Sequence, residues 1–450
     1  MSKKLLSVIL SLVLCVSFIF SSAVSVGAAV SLKGTVTGTM QDTSDASSGV
    51  LNWSFSYDKT SGTASLTITG NGYMPNYTED GWFGIQNEVQ CYITELTIGE
   101  GVRSIMEDAF MYELYLTKVK LPESIEYIGD NAFAYTGITT INIPSKVNYL
   151  SGKMFFNSPI ESINVSQSNP YYTSVDGDVY SKDMKTLVVS APGKYVNDSY
   201  HKFNIPSSVS IIAPYAFYMS QIRDIVIPGN VTEIRNMAFA GSALEILRID
   251  PGLRMIYDSA FLACENLKEY VLPSSLTYIG WYALGYGYEL DIAGIEYILD
   301  LNGVSHGVIN AGNCQSYLEQ IGYSAEQFMV IAPMNSVSIY PVITTVGEDY
   351  AKENGFTYTP TYVDYARPVS AKAVSSGIQI DWIPVSGAMG YRIMRKNTVN
   401  VWEVIGTASG ESTSSYVDTE PLNNYINEYS VKSYSINDSG YYDKTGVSCY

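Results

Sequence analysis

Side chains that could carry out acid–base or nucleophilic chemistry are few in this sequence of 450 residues. Histidine occurs twice, as His201 and His306, and neither lies near a serine or cysteine in a recognisable nucleophile motif. The 44 acidic residues include close pairs, but no pair falls in a segment typical of a glycosidase cleft. The sequence therefore predicts a protein that is not an enzyme and that has no catalytic residues.

Oxygen-bearing side chains at short spacing, which could bind calcium, occur in two places: Asp176, Asp178 and Asp183, and Asp300 and Asn302. In the first place, an EF-hand register would put Tyr180 at the third ligand position and Ser181 at the required glycine. Asp300 and Asn302 do not match the EF-hand loop either. We therefore predict no metal site and no cofactor.

The cysteines do not form a metal or redox motif. Beyond the N-terminal leader they are Cys91, Cys264, Cys314 and Cys449. They are widely spaced and include no Cys-x-x-Cys pair, which disfavours zinc and disulfide-exchange sites. Buried or free thiols are the preferred interpretation, and the disulfide state is left open.

The composition excludes further classes. Lys and Arg total 26 against 44 Asp and Glu, a formal net charge of −18, so a nucleic-acid partner is disfavoured. Apolar residues make up 46% of the chain, which is enough to build cores and disfavours disorder. Tyrosine is unusually common, with 38 copies. The sequence is that of a folded, acidic, tyrosine-rich protein.

The N-terminus, residues 1–28, has the pattern of a secretory signal peptide. Lys3 and Lys4 precede an apolar run from Leu5 to Phe20, and small residues lead to a cleavage site that we place after Ala28. A transmembrane anchor is the alternative, which the short and Ser-rich run disfavours. Removing two lysines changes the net charge from −18 to −20. We expect a secreted, extracellular protein, free or associated with a cell surface, and no membrane insertion after signal removal.

A repeat of 22 or 23 residues organises the middle of the chain. Its units are 94–116, 117–138, 139–160, 201–222, 223–244, 245–267 and 268–290, and residues 161–200 interrupt them. The clearest mark is an Ala-Phe pair, found at Ala109-Phe110, Ala132-Phe133, Ala216-Phe217, Ala238-Phe239 and Ala260-Phe261. Such a period is the signature of a repeat architecture.

The pattern inside a unit predicts a stacked solenoid. Alternating apolar residues such as Ile225 and Ile227 predict a short strand, which the following proline ends. An apolar pair spaced by three, such as Val231 and Ile234, comes next, and the Ala-Phe pair then lies in a short helix-compatible turn. One unit cannot bury these side chains alone, whereas stacked units bury them as ladders.

The repeat Ile-Pro-x-x-Val-x-x-Ile-x-x-x-Ala-Phe resembles the BspA-type, or Treponema-type, leucine-rich repeat of bacterial surface proteins over about residues 90–360. The resemblance implies a role in recognition or adhesion. It also fits the interruption at 161–200, where Asp176-Gly177 predicts a hairpin turn. We expect residues 29–93 to form an N-terminal β cap and residues 291–365 to contain degenerate repeats and the C-terminal cap.

Residues 366–450 predict a separate small β-sandwich with alternating strands and turn-rich spacers. Trp382, the loop from Val385 to Tyr391, and the run from Tyr416 to Thr419 resemble a bacterial fibronectin type III domain. Its Trp and Tyr residues are expected to be core and corner residues. The predicted fold class is thus mainly β: a leucine-rich-repeat solenoid with short strands and short helical turns, an N-terminal β cap and a C-terminal β-sandwich.

The outward face of the repeat strands is the expected binding surface, because stacking sets equivalent residues side by side. The alternation also places Val271 on this face. Three tyrosines, Tyr127, Tyr149 and Tyr278, share a second register and could stack on sugars or anchor a protein. The candidate partner-binding residues of the strand face are Lys118, Lys120, Asn142, Lys202, Asn204, Asp224, Arg248 and Glu269.

These observations favour a secreted bacterial recognition or adhesion protein whose solenoid binds a protein or polysaccharide partner at a cell surface. Net charge is −19 over residues 29–365 and −1 over residues 366–450, so the array carries nearly all the acidity. Two alternatives stay open. One is a structural scaffold of the cell wall or of an extracellular complex, and the other is a secreted carbohydrate-active enzyme or its accessory.

Overall fold

The computed structural model describes residues 32–41, 49–75, 83–195, 202–290, 299, 304, 329–333, 338–341, 346–358, 364, 366–422, 426–435 and 447–449. The signal peptide, His201, His306, Asp300, Asn302 and Cys314 lie outside the described residues. Within the described part of the chain, no helix is both long and apolar enough to cross a membrane.

The residues before the first repeat extend one sheet of the array. Three antiparallel strands form a meander, a short helix follows, and the next strand pairs in parallel with the last strand of the meander. Phe55 and Leu66 of this meander are fully buried in the same core as the first coils. These elements are β1 (Lys33–Met40), β2 (Leu51–Asp58), β3 (Thr63–Gly70), α1 (Phe83–Val89) and β4 (Tyr92–Ile98).

Successive coils contribute short strands to two sets of sheets, in which strands of neighbouring coils pair in parallel. The strands are β5 (Ser104–Ile105), β6 (Lys118–Lys120), β7 (Tyr127–Ile128), β8 (Thr140–Ile143), β9 (Ser162–Val165), β10 (Tyr172–Val175), β11 (Asp178–Ser181), β12 (Thr186–Val189), β13 (Lys202–Asn204), β14 (Ile211–Ile212), β15 (Asp224–Ile227), β16 (Glu233–Ile234), β17 (Ile246–Ile249), β18 (Met255–Ile256), β19 (Glu269–Leu272) and β20 (Tyr278–Ile279). One set, the first sheets, has the orders β1-β2-β3-β4-β6, β8-β9 and β13-β15-β17. The other set, the second sheets, has the orders β5-β7 and β10-β11-β12-β14-β16-β18-β20. The mainly β solenoid predicted from the repeat is confirmed.

The Ala-Phe pair forms a corner of each coil. The N–H of Phe239 donates to the carbonyl of Ala260 in the next coil at 2.8 Å, and the small buried alanines allow this close approach. Most corners are hydrogen-bonded turns, and a 3-10 helix is assigned at Gly152–Phe155. The residue before the alanine or its equivalent has a left-handed backbone at Asp108, Asn131, Tyr215, Met237, Ser259 and Tyr282.

The phenylalanines of the corners stack into ladders. Phe239 lies between Phe217 and Phe261, with ring centroids 4.7 and 5.0 Å away and nearly parallel planes. Phe133 lies between Phe110 and Phe155 in the same way. These rings are buried, and each contributes roughly 2–3 kcal/mol through its removal from water.

The described part of the interruption, residues 161–195, lies between two cores. Its strands β10 and β11 join through Asp176-Gly177, both with positive φ (51° and 83°), as a two-residue hairpin turn requires. Val179 belongs to the core on the N-terminal side and Tyr180 to the core on the C-terminal side. Because neighbouring residues of a strand face opposite ways, one hairpin fills both cores.

The C-terminal end of the array is closed by further strands and a helix. Tyr350 of the helix and Phe356 after it are buried in the second core, and the Tyr350 hydroxyl donates to the Leu284 carbonyl at 3.2 Å. Strand β19 continues sideways into two later strands in the order β19-β23-β24. The elements are β21 (Tyr286–Leu290), β22 (Met329–Pro333), β23 (Ser338–Pro341), α2 (Val346–Glu353) and β24 (Thr357–Tyr358).

The last part of the chain forms two antiparallel sheets around its own core. Trp382 and Tyr391 are buried there with ring centroids 5.2 Å apart, which confirms their predicted place in the core. The strands are β25 (Pro368–Val374), β26 (Gly377–Trp382), β27 (Gly390–Lys396), β28 (Trp402–Ser409), β29 (Ser415–Asp418), β30 (Asn427–Tyr434) and β31 (Val447–Cys449). Their orders are β25-β26-β29 and β28-β27-β30-β31.

Candidate partner-binding surface

The candidate residues of the repeat strands lie in separate sheets rather than in one continuous row. Lys118 and Lys120 lie in the sheet that includes the N-terminal meander, and Asn142 lies in the pair β8-β9. Lys202, Asn204, Asp224 and Arg248 share the sheet β13-β15-β17. Glu269 is in β19, which pairs with β23. The structure thus brings four of the eight candidates into one sheet.

Several of these charged residues are ion-paired with one another across coils. Lys118 bonds Glu95 of the preceding coil, and Arg248 bonds Asp224 at 2.7 Å. The Arg248 side chain is largely buried, whereas Lys118 is well exposed. Arg248 and Asp224 therefore stabilise the stacking of coils, and a partner would first have to compete with that pair.

Other candidates on the strand face are exposed. Lys120, Asn142 and Asn204 are exposed at the ends or centres of their strands, and Glu269 is half-buried. Val271 is buried, so its predicted outward position is wrong. Strand β19 pairs with the later strand β23, and its residues Tyr270 to Leu272 are all buried, so this strand does not alternate between a buried and an exposed face.

The predicted tyrosine register is present in the second sheets, but its members are not contiguous. The rings of Tyr127 and Tyr149 stack with centroids 5.2 Å apart, and the two residues form a parallel bridge. Tyr278 has the equivalent place in β20, but residues such as Glu233 and Met255 occupy the coils between. The tyrosines therefore form two separate aromatic surfaces, one near each end of the array.

Each of the two exposed tyrosines is held by an aspartate of the preceding coil. The phenol of Tyr149 donates to Asp130 Oδ1 at 3.1 Å, and that of Tyr278 donates to Asp258 Oδ1 at 3.4 Å. Burial and the neighbouring aspartate raise the pKa of Tyr149 to about 12, and the same two causes raise the pKa of Tyr278. Both phenols therefore stay protonated donors at neutral pH.

The surroundings of these two aspartates differ, and sequence reasoning missed them. Lys153 Nζ lies 3.5 Å from Asp130 Oδ2 and 4.4 Å from the centre of the Tyr215 ring. At Asp258 the backbone N–H of Trp281 donates to Oδ1 at 2.9 Å, and the Trp281 side chain is 74% exposed. The one signal for the two aspartates is their shared place in the repeat, three residues after Tyr127 and Met255.

Two of the aspartates considered as calcium ligands, Asp178 and Asp183, are hydrogen-bonded to protein groups. Asp178 is buried and forms a 2.7 Å ion pair with Lys194, and it also accepts from Ser190 and the N–H of Ala191. Burial raises the pKa of Asp178, against the opposing effect of Lys194. Among the described residues, no group of three His, Cys, Asp or Glu is placed to hold a metal ion.

Cys91 and Cys264 are free thiols. Cys91 and Cys264 are buried and Cys449 is partly exposed. Cys264 lies 3.1 Å from the Phe239 carbonyl, to which its thiol donates, and burial raises its pKa to about 12. These two buried thiols are core residues, in agreement with the preferred interpretation from sequence.

The C-terminal sandwich is attached to the array by specific contacts. Arg367 forms a two-pronged ion pair with Asp250, which is almost fully buried at the end of β17. Asp364 accepts from the N–H and hydroxyl of Ser274, both at 2.7 Å, while its own carbonyl accepts from Ser433 of the sandwich. The connecting residues are thus held on both sides.

Comparison with known proteins supports the leucine-rich repeats predicted from the sequence. Residues 89–182 and 193–297 match the family model described as the BspA type leucine rich repeat region, in six copies. No curated protein matches the chain. Among solved structures, the chain is similar to a leucine-rich repeat protein from Eubacterium ventriosum, at 19% identity and a TM-score of 0.32, over 55% of this chain and 85% of that one.

Two further solved structures are similar at the same low level. A leucine rich cell surface protein from Faecalibacterium prausnitzii is 19% identical over 54% of this chain and 94% of that chain, with a TM-score of 0.33. The pneumococcal vaccine antigen PcpA is 13% identical over 72% of this chain and 99% of that chain, with a TM-score of 0.37.

Proposed function

We propose that this chain, two segments of which match BspA type leucine-rich repeats, is a secreted recognition protein that binds a protein or polysaccharide partner at a cell surface. The repeats of such arrays stack into extended surfaces that repeat proteins use for binding. The family match therefore supports a binding role for the array and a surface or extracellular location. A signal peptide at residues 1–28 supplies the route of export in this proposal.

The observation that carries the proposal is the pair of exposed tyrosines held by hydrogen bonds across coils. Tyr149 and Tyr278 are 39% and 38% exposed, and each donates to an aspartate of the preceding coil. A side chain fixed before binding loses little conformational freedom when a partner arrives. Tyrosine is also among the residues that dominate binding energy at protein interfaces.

We assign no catalytic step to the molecule in this proposal. The charged residues of the strand face pair with each other, as Glu95 with Lys118 and Asp224 with Arg248, which is an arrangement suited to stable stacking rather than to proton transfer. The C-terminal sandwich, proposed to be fibronectin type III-like, would present a second contact surface. Its division into sheets of three and four strands supports that proposal.

The test is saturable binding by the complete chain without residues 1–28. Interferometry measures the binding of whole cells, purified extracellular-matrix proteins and cell-surface polysaccharides to the immobilised protein. We expect one class to bind, and the triple variant Tyr127→Ser, Tyr149→Ser, Tyr278→Ser to bind at least about ten-fold more weakly. The matched control replaces three exposed tyrosines outside the register, Tyr92, Tyr115 and Tyr171, by serine.

Absence of saturable binding to every class would contradict the proposal. Cofractionation with wall material in the absence of any soluble ligand would instead favour the scaffold alternative. Equal weakening by the control triple variant would show that the array binds, but not through the tyrosine register.

A further inference from the structure

Two places in the array have the same tyrosine–aspartate geometry, and at one of them the chain supplies its own cation. Asp130 accepts from Tyr149, and the ammonium of Lys153 lies 3.5 Å from its other oxygen. The same ammonium lies over the Tyr215 ring at 4.4 Å. A cation held between a carboxylate and an aromatic face is a favourable arrangement.

At the equivalent place near the end of the array, the lysine is missing and aromatic rings are present. Tyr278 donates to Asp258 as Tyr149 does to Asp130. Tyr282, four residues after Tyr278, has the position that Lys153 has four residues after Tyr149. Among the described residues, Asp258 forms no ion pair with a lysine or arginine.

The aromatic rings around Asp258 are exposed to an unusual degree. Trp281 is 74% exposed and forms an edge contact with Tyr282, which is 39% exposed. The ring of Tyr257 also lies beside that of Tyr278, with centroids 5.7 Å apart. A large tryptophan left in water on a folded surface is a feature typical of contact sites.

A close backbone approach holds the carboxylate in place. A Cβ at Gly280 would collide with the side chain and backbone of Asp258, so the glycine lets β20 come near enough for the Trp281 N–H to reach Oδ1. The carboxylate is therefore fixed beside the rings before any ligand arrives. Both of these hydrogen bonds use Oδ1, and within the described part of the chain Oδ2 accepts none.

We propose that Asp258, Tyr278, Trp281 and Tyr282 form a site for a cationic side chain of a basic peptide segment on the protein's partner. Charge complementarity selects this occupant: residues 29–365 carry a net charge of −19, which attracts basic segments and repels acidic ones. The guanidinium or ammonium pairs with Asp258 and lies against Trp281, the ring that binds cations best. The inference rests on the proposed recognition function and names one partner chemistry for it.

The test uses the complete chain without residues 1–28 and a fluorescein-labelled hexa-arginine peptide, followed by fluorescence anisotropy. We expect Asp258→Asn and Trp281→Ala each to weaken binding about ten-fold. The matched control is Asp130→Asn, which removes one charge from the equivalent place that Lys153 already fills, and it should bind like the unmodified protein. Hexa-glutamate should not bind. Far-ultraviolet circular dichroism checks that each variant is folded.

Equal binding by the Asp258→Asn and Trp281→Ala variants and the unmodified protein would overturn the proposal. Equal weakening by Asp130→Asn would overturn it too, because attraction to total charge would then explain the binding. Binding of neutral maltohexaose that Trp281→Ala abolishes, without hexa-arginine binding, would assign the rings to sugars instead. None of these results depends on the cell-binding assay of the proposed function, so the two can fail separately.

Discussion

The side-chain amide nitrogen of Gln86 lies 2.9 Å from one carboxyl oxygen of Glu113 and 3.1 Å from the other. This pair joins helix α1, before the array, to the corner of the first coil, and the Gln86 carbonyl also accepts from the N–H of Ile93. Glu113 is only 4% exposed. Burial raises its pKa to about 8, against the opposing effect of Gln86.

The Glu113 carboxyl makes stability fall as the pH rises. Its pKa is about 8 in the folded chain against 4.5 for an ordinary glutamate, so the folded state binds the extra proton. The stabilisation is complete below pH 4.5 and is lost as the pH rises through 8. We expect Glu113→Gln to remove a pH dependence on the order of a few kcal/mol. Urea unfolding at pH 5 and pH 8 measures it, and parallel profiles for the two proteins would contradict the expectation.

The phenylalanine ladder predicts a large effect of one truncation. Phe239 is fully buried between two parallel rings, so Phe239→Ala should leave a cavity and cost about 3–5 kcal/mol of unfolding free energy. The control is Leu114→Ala, an apolar residue of the same array that is half-exposed, with an expected effect of about 0.5 kcal/mol. Chemical denaturation measures the unfolding free energy of both variants. Similar losses of unfolding free energy would contradict a stabilising role of the phenylalanine ladder in the core.

The repeat ladder could be predicted from sequence because its marks recur at a fixed period. The period alone places Phe217, Phe239 and Phe261 in equivalent positions, and stacking then follows from burial. The hairpin at Asp176-Gly177 could also be predicted from its turn residues, since Asp-Gly suits two consecutive positive φ values. Both features can be predicted because the ladder contacts repeat at a fixed period and the residues of the hairpin turn are neighbours in sequence.

The candidate site could be predicted only in part. The register of Tyr127, Tyr149 and Tyr278 followed from the repeat, but the period does not say which coils lie between them. Contacts such as Lys153 with Asp130 join residues whose types do not repeat, so no pattern marks them. Alternation alone predicts an outward Val271, but alternation takes no account of neighbouring segments, and the structure buries this residue.

The left-handed corners predict a stabilising substitution. Ala263 has φ of 57°, while Gly241 has φ of 68° at the same corner position one coil earlier. A left-handed backbone costs an alanine about 1 kcal/mol more than a glycine, so Ala263→Gly should raise the unfolding free energy by about that amount. Ala243→Gly, at a nearby residue without positive φ, should lower it by roughly 0.5–1 kcal/mol. Thermal unfolding measures both, and a loss at Ala263 would contradict the assignment.

The contacts of Arg367 and Asp364 predict that the C-terminal sandwich is fixed to the array rather than swinging on a linker. Arg367 is 20% exposed and Asp250 5% exposed, so removing the cation leaves an almost buried carboxylate without its partner. Asp364 contacts the array through its side chain and the sandwich through its carbonyl. Both anchors lie within four residues of each other, which leaves the connection little freedom.

Arg367→Met should therefore loosen the joint while both folded parts persist. Breaking a largely buried ion pair costs about 3 kcal/mol, and this loss is concentrated where the two parts meet. We expect faster amide hydrogen exchange at residues 366–370 and 250–253, with the core of the sandwich around Trp382 unchanged. Lys372→Met is the control, because Lys372 is 57% exposed and pairs with Asp381 inside the sandwich. If Arg367→Met exchanges no faster than this control, the two parts are held together by other contacts and the ion pair is incidental to the joint.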